Sequence, residues 1–192
     1  MSAFVSAFAL STALIFFAEL GDKSQLVALW FATRYRWWLV LAGVSAATLV
    51  VHLGSVAIGL AFDQLLPERV LYTVVGASFL FFGLWSLRGD SIDESGNHEK
   101  RMPVFGAFGV VTVSFFLSEL GDKTQLATIS LAGGRDAAGV WLGSTLGMVA
   151  ADAMAIGVGL VAGSRLPERT LGKAAAVLFF VVGGVTIVHA LA

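Results

Sequence analysis

The sequence predicts an all-α membrane protein of six transmembrane helices, arranged as two inverted three-helix repeats. Three observations carry that expectation. Of 192 residues, 57% are hydrophobic and only 13% charged, with a mean hydropathy of +0.86. Charge-free stretches of about 20 residues, the length that crosses a bilayer, recur along the chain. An eight-residue segment in the first half also reappears 100 positions later.

A water-soluble domain needs roughly a quarter of its residues charged to cover its surface, so lipid must solvate most of the exterior here. The 22 glycines suit helices whose backbones approach closely in a bilayer. The absence of cysteine excludes disulfides, thiolate metal sites and cysteine nucleophiles. A net charge of −1 gives no reason to expect nucleic-acid binding.

The charge-free stretches run from Phe4 to Phe31, Trp38 to Phe62, Val70 to Leu87, Val104 to Leu131, Val140 to Gly163 and Ala174 to His189. No basic residue precedes the first, which therefore reads as a retained span and not as a signal peptide. Three segments follow: a three-helix repeat over 1–87, a solvated linker over 88–103, and a second repeat over 104–192. The linker holds Asp90, Asp93, Glu94, His98, Glu99 and Lys100.

Gly43 and Gly143, Leu66-Pro67-Glu68-Arg69 and Leu166-Pro167-Glu168-Arg169, and Gly83 and Gly183 match at the same displacement without a gap, the mark of duplication. An odd number of spans per copy makes the second copy enter the membrane from the opposite side. Arg34, Arg36, Arg88, Lys100, Arg101, Arg165, Arg169 and Lys173 fall on one side, against Arg69 and Arg135 on the other. The excess of positive charge places the linker in the cytoplasm and both termini outside.

The strongest match is Glu19-Leu20-Gly21-Asp22-Lys23-Ser24-Gln25-Leu26 with Glu119-Leu120-Gly121-Asp122-Lys123-Thr124-Gln125-Leu126. The spans that carry it are about 28 residues long, roughly 42 Å as a straight helix against a core of about 30 Å. They must tilt strongly or break, and Gly21 and Gly121 are the natural hinges. Glu19, Asp22 and Gln25 share a face if the helix is continuous, as do Glu119, Asp122 and Gln125. One charge at the bilayer centre costs at least about 2.5 kcal/mol, so these clusters require compensation.

Two readings compete. Glu19 and Lys23 stand at ion-pair spacing and could merely join helices. Alternatively, if the copies meet, four carboxylates and two ammonium groups leave two negative charges, which a divalent cation neutralises. The extra Asp in each copy favours the cation. Carboxylates, the Gln25 and Gln125 amides and the Ser24 and Thr124 hydroxyls are hard oxygen donors, suited to Mn2+, Ca2+ or Mg2+. Lys23 and Lys123 are supporting groups, and protons can compete with metal for the same oxygens.

Both segments fit the Glu-x-Gly-Asp-(Lys/Arg)-(Thr/Ser) signature, and the chain resembles, over essentially its full length, the cation/proton exchangers once filed as uncharacterised protein family 0016. That resemblance implies Mn2+ or Ca2+ exchange for protons, through Glu19, Gly21, Asp22, Lys23, Ser24 and their counterparts Glu119, Gly121, Asp122, Lys123 and Thr124. It implies no cofactor besides the transported ion. The short linker and lack of a eukaryotic-style leader fit a Mn2+ exporter of a bacterial inner membrane, with a Ca2+/H+ antiporter as the alternative.

Asp152 lies mid-span, opposite His52 in the repeat. It reads equally as a proton-coupling residue near the cation site or as a helix–helix hydrogen bond, whereas His52 reads as structural. Pro67-Glu68 and Pro167-Glu168 read as helix starts, Gly133 to Asp136 as a turn, and His189 as an interface residue. An intramembrane aspartyl protease is the rival from another class, but its two-Asp chemistry requires neither the paired Glu nor the paired Lys. A channel and an organic-solute exporter are weaker rivals.

Overall fold

The computed structural model describes residues 2–88, 104–162 and 168–191. Those residues form eight helices and no strand: α1 (Ala3–Glu19), α2 (Lys23–Arg34), α3 (Trp37–Leu65), α4 (Glu68–Arg88), α5 (Val104–Glu119), α6 (Lys123–Ala132), α7 (Ala137–Ala162) and α8 (Glu168–Leu191). Each charge-free stretch matches helix within a few residues. The first and fourth stretches are each divided in two, α1 from α2 and α5 from α6, at Leu20-Gly21-Asp22 and Leu120-Gly121-Asp122. Apart from Arg88, the linker lies outside the described residues.

Local chemistry sets the remaining boundaries. Ser2 caps α1 by accepting from the Val5 N–H at 3.3 Å. The turn before α7 is closed by Asp136, which accepts from the Gly139 N–H at 2.7 Å, and Gly134 takes φ +79° there. Pro67 precedes α4, with its carbonyl accepting from the Leu71 N–H at 2.9 Å. Pro167, before α8, lies outside the described residues.

Among those residues, α3 (Trp37–Leu65) and Ala137–Val158 of α7 are long and apolar enough to cross a membrane unaided. The pieces of the two broken stretches are individually too short. Large apolar side chains nevertheless line the exterior. On α8, Val177, Val181, Val185 and Val188 form an exposed stripe at helical spacing, while buried polar groups collect in the interior. Charge inside and hydrocarbon outside is the distribution lipid selects.

Repeat counterparts meet each other. Thr48 Oγ1 donates to Met148 Sδ at 3.3 Å, and the rings of Phe79 and Phe179 stack 6.0 Å apart. Around these contacts α3 and α7 run antiparallel, since Thr48 meets Met148 while His52 meets Thr145. Helices α4 and α8 do likewise, Tyr72 lying against His189 and Gly83 against Phe180. The His189 contact is at an exposed helix end, where the sequence placed it.

Helices α1 and α7 run parallel and almost backbone to backbone. A methyl group on Gly139, Gly143 or Gly147 would lie 2.7, 2.5 or 2.5 Å from the carbonyl oxygens of Phe4, Phe8 and Thr12, respectively. Glycine every fourth residue thus opens a groove on α7 that α1 fills, which increases dispersion contact where the hydrophobic effect between helices is absent. The related contact in the other half is looser, Gly43 facing the side chains of Val111 and Thr112.

Gly143→Ala is therefore expected to destabilise the protein by roughly 1–3 kcal/mol, because the new methyl meets backbone that cannot rotate away. Gly157→Ala should be neutral or stabilising by up to about 1 kcal/mol, since its Cβ meets nothing within 4 Å. Unfolding of purified protein in detergent, with both variants side by side, measures the difference.

Candidate functional site

The site is built on the two helix breaks. Gly21 and Gly121 take φ +80° and +81°, the left-handed region where any side chain strains the backbone. Each turn is closed by the residue that follows: the Asp22 N–H donates to the Glu19 carbonyl at 3.0 Å, and the Asp122 N–H to that of Glu119 at 3.3 Å. The amide oxygens of Gln25 and Gln125 accept from the N–H of Gly21 at 2.8 Å and of Gly121 at 2.6 Å. In a membrane interior these backbone donors have no water to turn to, so the glutamines complete the breaks.

Asp122 caps α6, accepting from the Thr124 N–H at 3.3 Å. Asp-Lys-Thr-Gln and Asp-Lys-Ser-Gln are thus forms of the capping box, in which the third residue after the cap reaches back to a backbone donor. That signal was present in the sequence, and reading Gln25 and Gln125 as members of a continuous metal-binding face overlooked it. The helix stops between Glu19 and Asp22, so the turn and not a shared helical face brings them together. The glutamine oxygens are engaged, although each carbonyl retains a second lone pair.

The acidic residues are fully or nearly fully buried: Glu19 is 0% exposed, Asp22 1%, Glu119 1% and Asp122 6%. Ser24 Oγ donates to Glu19 Oε1. Thr124 Oγ1 lies 3.2 Å from Glu119 Oε2 and 3.3 Å from Asp122 Oδ2. Lys123 Nζ reaches across the duplication to Asp22 Oδ2 at 2.9 Å, both side chains being buried. The Lys23 side chain, and with it the Glu19–Lys23 pair considered above, lies outside the described residues.

The carboxylates of the two copies also share one electrostatic neighbourhood. Glu119, Asp22 and Asp122 all act on Glu19, and Asp122, Asp152 and Asp22 act on Glu119. Glu19 and Glu119 end α1 and α5, where the helix dipole opposes an anion and favours a cation. Glu19 Oε2 is buried with no hydrogen-bond partner among the described residues. Glu19 Oε1, Asp22 Oδ2, Glu119 Oε2 and Asp122 Oδ2 are engaged by hydroxyl, N–H or ammonium donors, and no three acidic or histidine side chains among the described residues converge on one point. His52 meets Thr145 Oγ1 through Nδ1 at 3.4 Å, consistent with its structural reading.

An all-helical, duplicated chain with hydrocarbon outside and two carboxylate-bearing helix breaks inside belongs to the class of membrane transporters. A model of the divalent cation/proton antiporter family GDT1 matches residues 7–94 and 107–192, so the chain belongs to that family. It is 33% identical over 181 residues to the Vibrio cholerae protein named "Putative manganese exporter", covering 93% of this chain and 88% of that one. It is 33% identical over 196 residues to a GDT1-like protein of Synechocystis sp., covering 92% and 94%. GDT1-like protein 5 of Arabidopsis thaliana is 29% identical over 220 residues, covering 95% and 96%. No solved structure matches. The family is one of transporters, which removes the protease reading.

Gly121→Ala should cost about 1–2 kcal/mol through backbone strain alone, because a Cβ at Gly121 meets nothing within 4 Å. Gly121→Asn should cost less, asparagine tolerating positive φ better. Thermal unfolding of the two variants in detergent tests this, and equal losses would contradict it.

Proposed function

We propose that this protein exports Mn2+ from the cytoplasm in exchange for protons, by alternating access in a six-span inverted repeat, with Ca2+ the alternative cation. The observation that carries the reading is the burial of Glu19, Asp22, Glu119 and Asp122, from both copies, at two helix breaks joined by the Lys123–Asp22 ion pair. The name of the Vibrio cholerae relative favours Mn2+. Antiparallel contact between repeat counterparts supports the inverted repeat, since a twofold perpendicular to the helices reverses their direction. A bacterial inner membrane, with both termini outside, follows from the basic-residue distribution and the bacterial relatives.

In this mechanism Glu19, Asp22, Glu119 and Asp122 supply charged oxygens to the cation. Gln25 and Gln125 hold the breaks open and offer their second lone pairs. Ser24 and Thr124 orient the glutamates, and Lys123 neutralises Asp22 when the cation is elsewhere. Coupling arises from the low dielectric. An unneutralised cluster of carboxylates is too costly to reorient within the bilayer, so the protein changes its access either with metal bound or with protons in its place.

Glu19→Gln and Glu119→Gln should each reduce proton-driven Mn2+ flux in reconstituted vesicles by at least about ten-fold while leaving monodisperse protein, and Asp22→Asn and Asp122→Asn should follow. His52→Gln should be milder. Wild-type flux in both glutamate variants would mean that the doubled motif is structural.

Carboxylates must lose their protons to bind metal, so Mn2+ affinity should fall as pH falls. Calorimetric titration between about pH 8 and pH 6 checks the sign, and a flat profile would rule out competition between proton and metal. For the topology, single cysteines at Ser91 and Ala192 should label from opposite faces of intact cells. Labelling from one face would eliminate the six-span arrangement.

A further inference from the structure

The α1–α7 groove fixes what stands beside the first helix break. Gly139, Gly143 and Gly147 meet Phe4, Phe8 and Thr12 in step, and Gly147 also approaches Phe16. One further turn on each helix brings position 151 of α7 level with the end of α1, where Glu19 and the Leu20-Gly21-Asp22 break lie. Asp152 sits at that level, completely buried. Neither of its carboxylate oxygens has a hydrogen-bond partner among the described residues.

Those two facts decide between the readings the sequence left open. A carboxylate that joins helices through a hydrogen bond must have a donor, and Asp152 has none there. It has acidic neighbours instead: Glu19 and Asp22 act on Asp152, and Asp152 acts on Glu119. Among buried carboxylate oxygens, those with neither a hydrogen bond nor an ion pair to the described residues are Glu19 Oε2 and both oxygens of Asp152. Three hard donors without partners, on adjoining helices, can be satisfied together by one divalent cation.

We propose that Asp152 is a further ligand of the transported divalent cation, acting with Glu19 across the first helix break. The proposal rests on the transport reading and deepens it. With α1 held against α7, coordination would turn the Glu19 and Asp152 side chains onto one ion, and no further helical turn follows Glu19 to obstruct it, because α1 ends there. The repeat does not reproduce this ligand, because the counterpart of Asp152 is His52, a neutral-capable ring lying on Thr145. The cation is thus held off the pseudo-twofold axis, towards α1 and α7, and the two faces of the transporter present it with different ligand sets.

The test is Mn2+ titration of purified full-length protein by calorimetry, alongside Glu19→Gln and with His52→Gln as control. Asp152→Asn should weaken Mn2+ binding at least about ten-fold and remove most of the thermal stabilisation that Mn2+ confers, whereas His52→Gln should stay within about two-fold of the unsubstituted protein. Binding within about two-fold for Asp152→Asn, with Glu19→Gln deficient, overturns the role of Asp152 and leaves the transport reading standing. Normal binding in both variants overturns the two together. Asp152→Glu keeps the charge and serves if the asparagine variant does not fold. Its longer side chain should change the ratio of Mn2+ to Ca2+ affinity, since the two ions differ in ligand number and distance. An unchanged ratio would mean that Asp152 does not touch the ion.

Discussion

Everything at the centre of this molecule depends on keeping backbone and carboxylate polar groups satisfied where water is scarce. Interrupting a helix inside a bilayer exposes N–H and C=O groups that cost several kcal/mol each if left alone. The protein meets that cost locally. Gln25 and Gln125 reach back to the glycine N–H groups, and Asp122 caps the helix that resumes after the break. With the backbone satisfied, helix ends and side-chain oxygens are available for a cation. Without those bonds the breaks would anneal into continuous helix or open into disorder, and either would scatter the carboxylates.

Packing then places a third element against the break. The glycine groove of α7 draws α1 in until backbone nearly touches backbone, so the register between the two helices is set by sterics over several turns. That register puts Asp152 level with the end of α1. Precision at the charged centre is therefore inherited from an apolar contact that begins about one turn away. Transmission of this kind is expected where interiors are close-packed and cannot deform continuously.

Duplication accounts for the symmetry and also for its limits. Thr48 and Met148, and Phe79 and Phe179, which correspond in the two copies, touch each other. Lys123 neutralises an aspartate of the opposite copy, so neither half is electrostatically complete alone. The copies have nonetheless diverged beside the breaks, with His52 on α3 where α7 carries Asp152. Contact between the copies and chemical divergence beside the breaks thus coexist in one duplicated frame.

The helical class, the extent of the helical segments, the duplication and the positions of the breaks were all legible in the sequence. Each depends on hydropathy runs, fixed spacing or a glycine within a charged segment, which are properties of local chain. The division of labour within the motif was not read correctly. A continuous helix places Glu19, Asp22 and Gln25 on one face, whereas the positive φ of Gly21 ends that face and the Gln25 side-chain oxygen accepts from the Gly21 N–H. Only the tertiary structure decided that Lys123 pairs with Asp22 a hundred residues away and that Asp152 lies unpartnered beside the first break. The physical reason is that such contacts depend on the register between helices, which side-chain volumes set along the whole length of an interface and no single segment encodes.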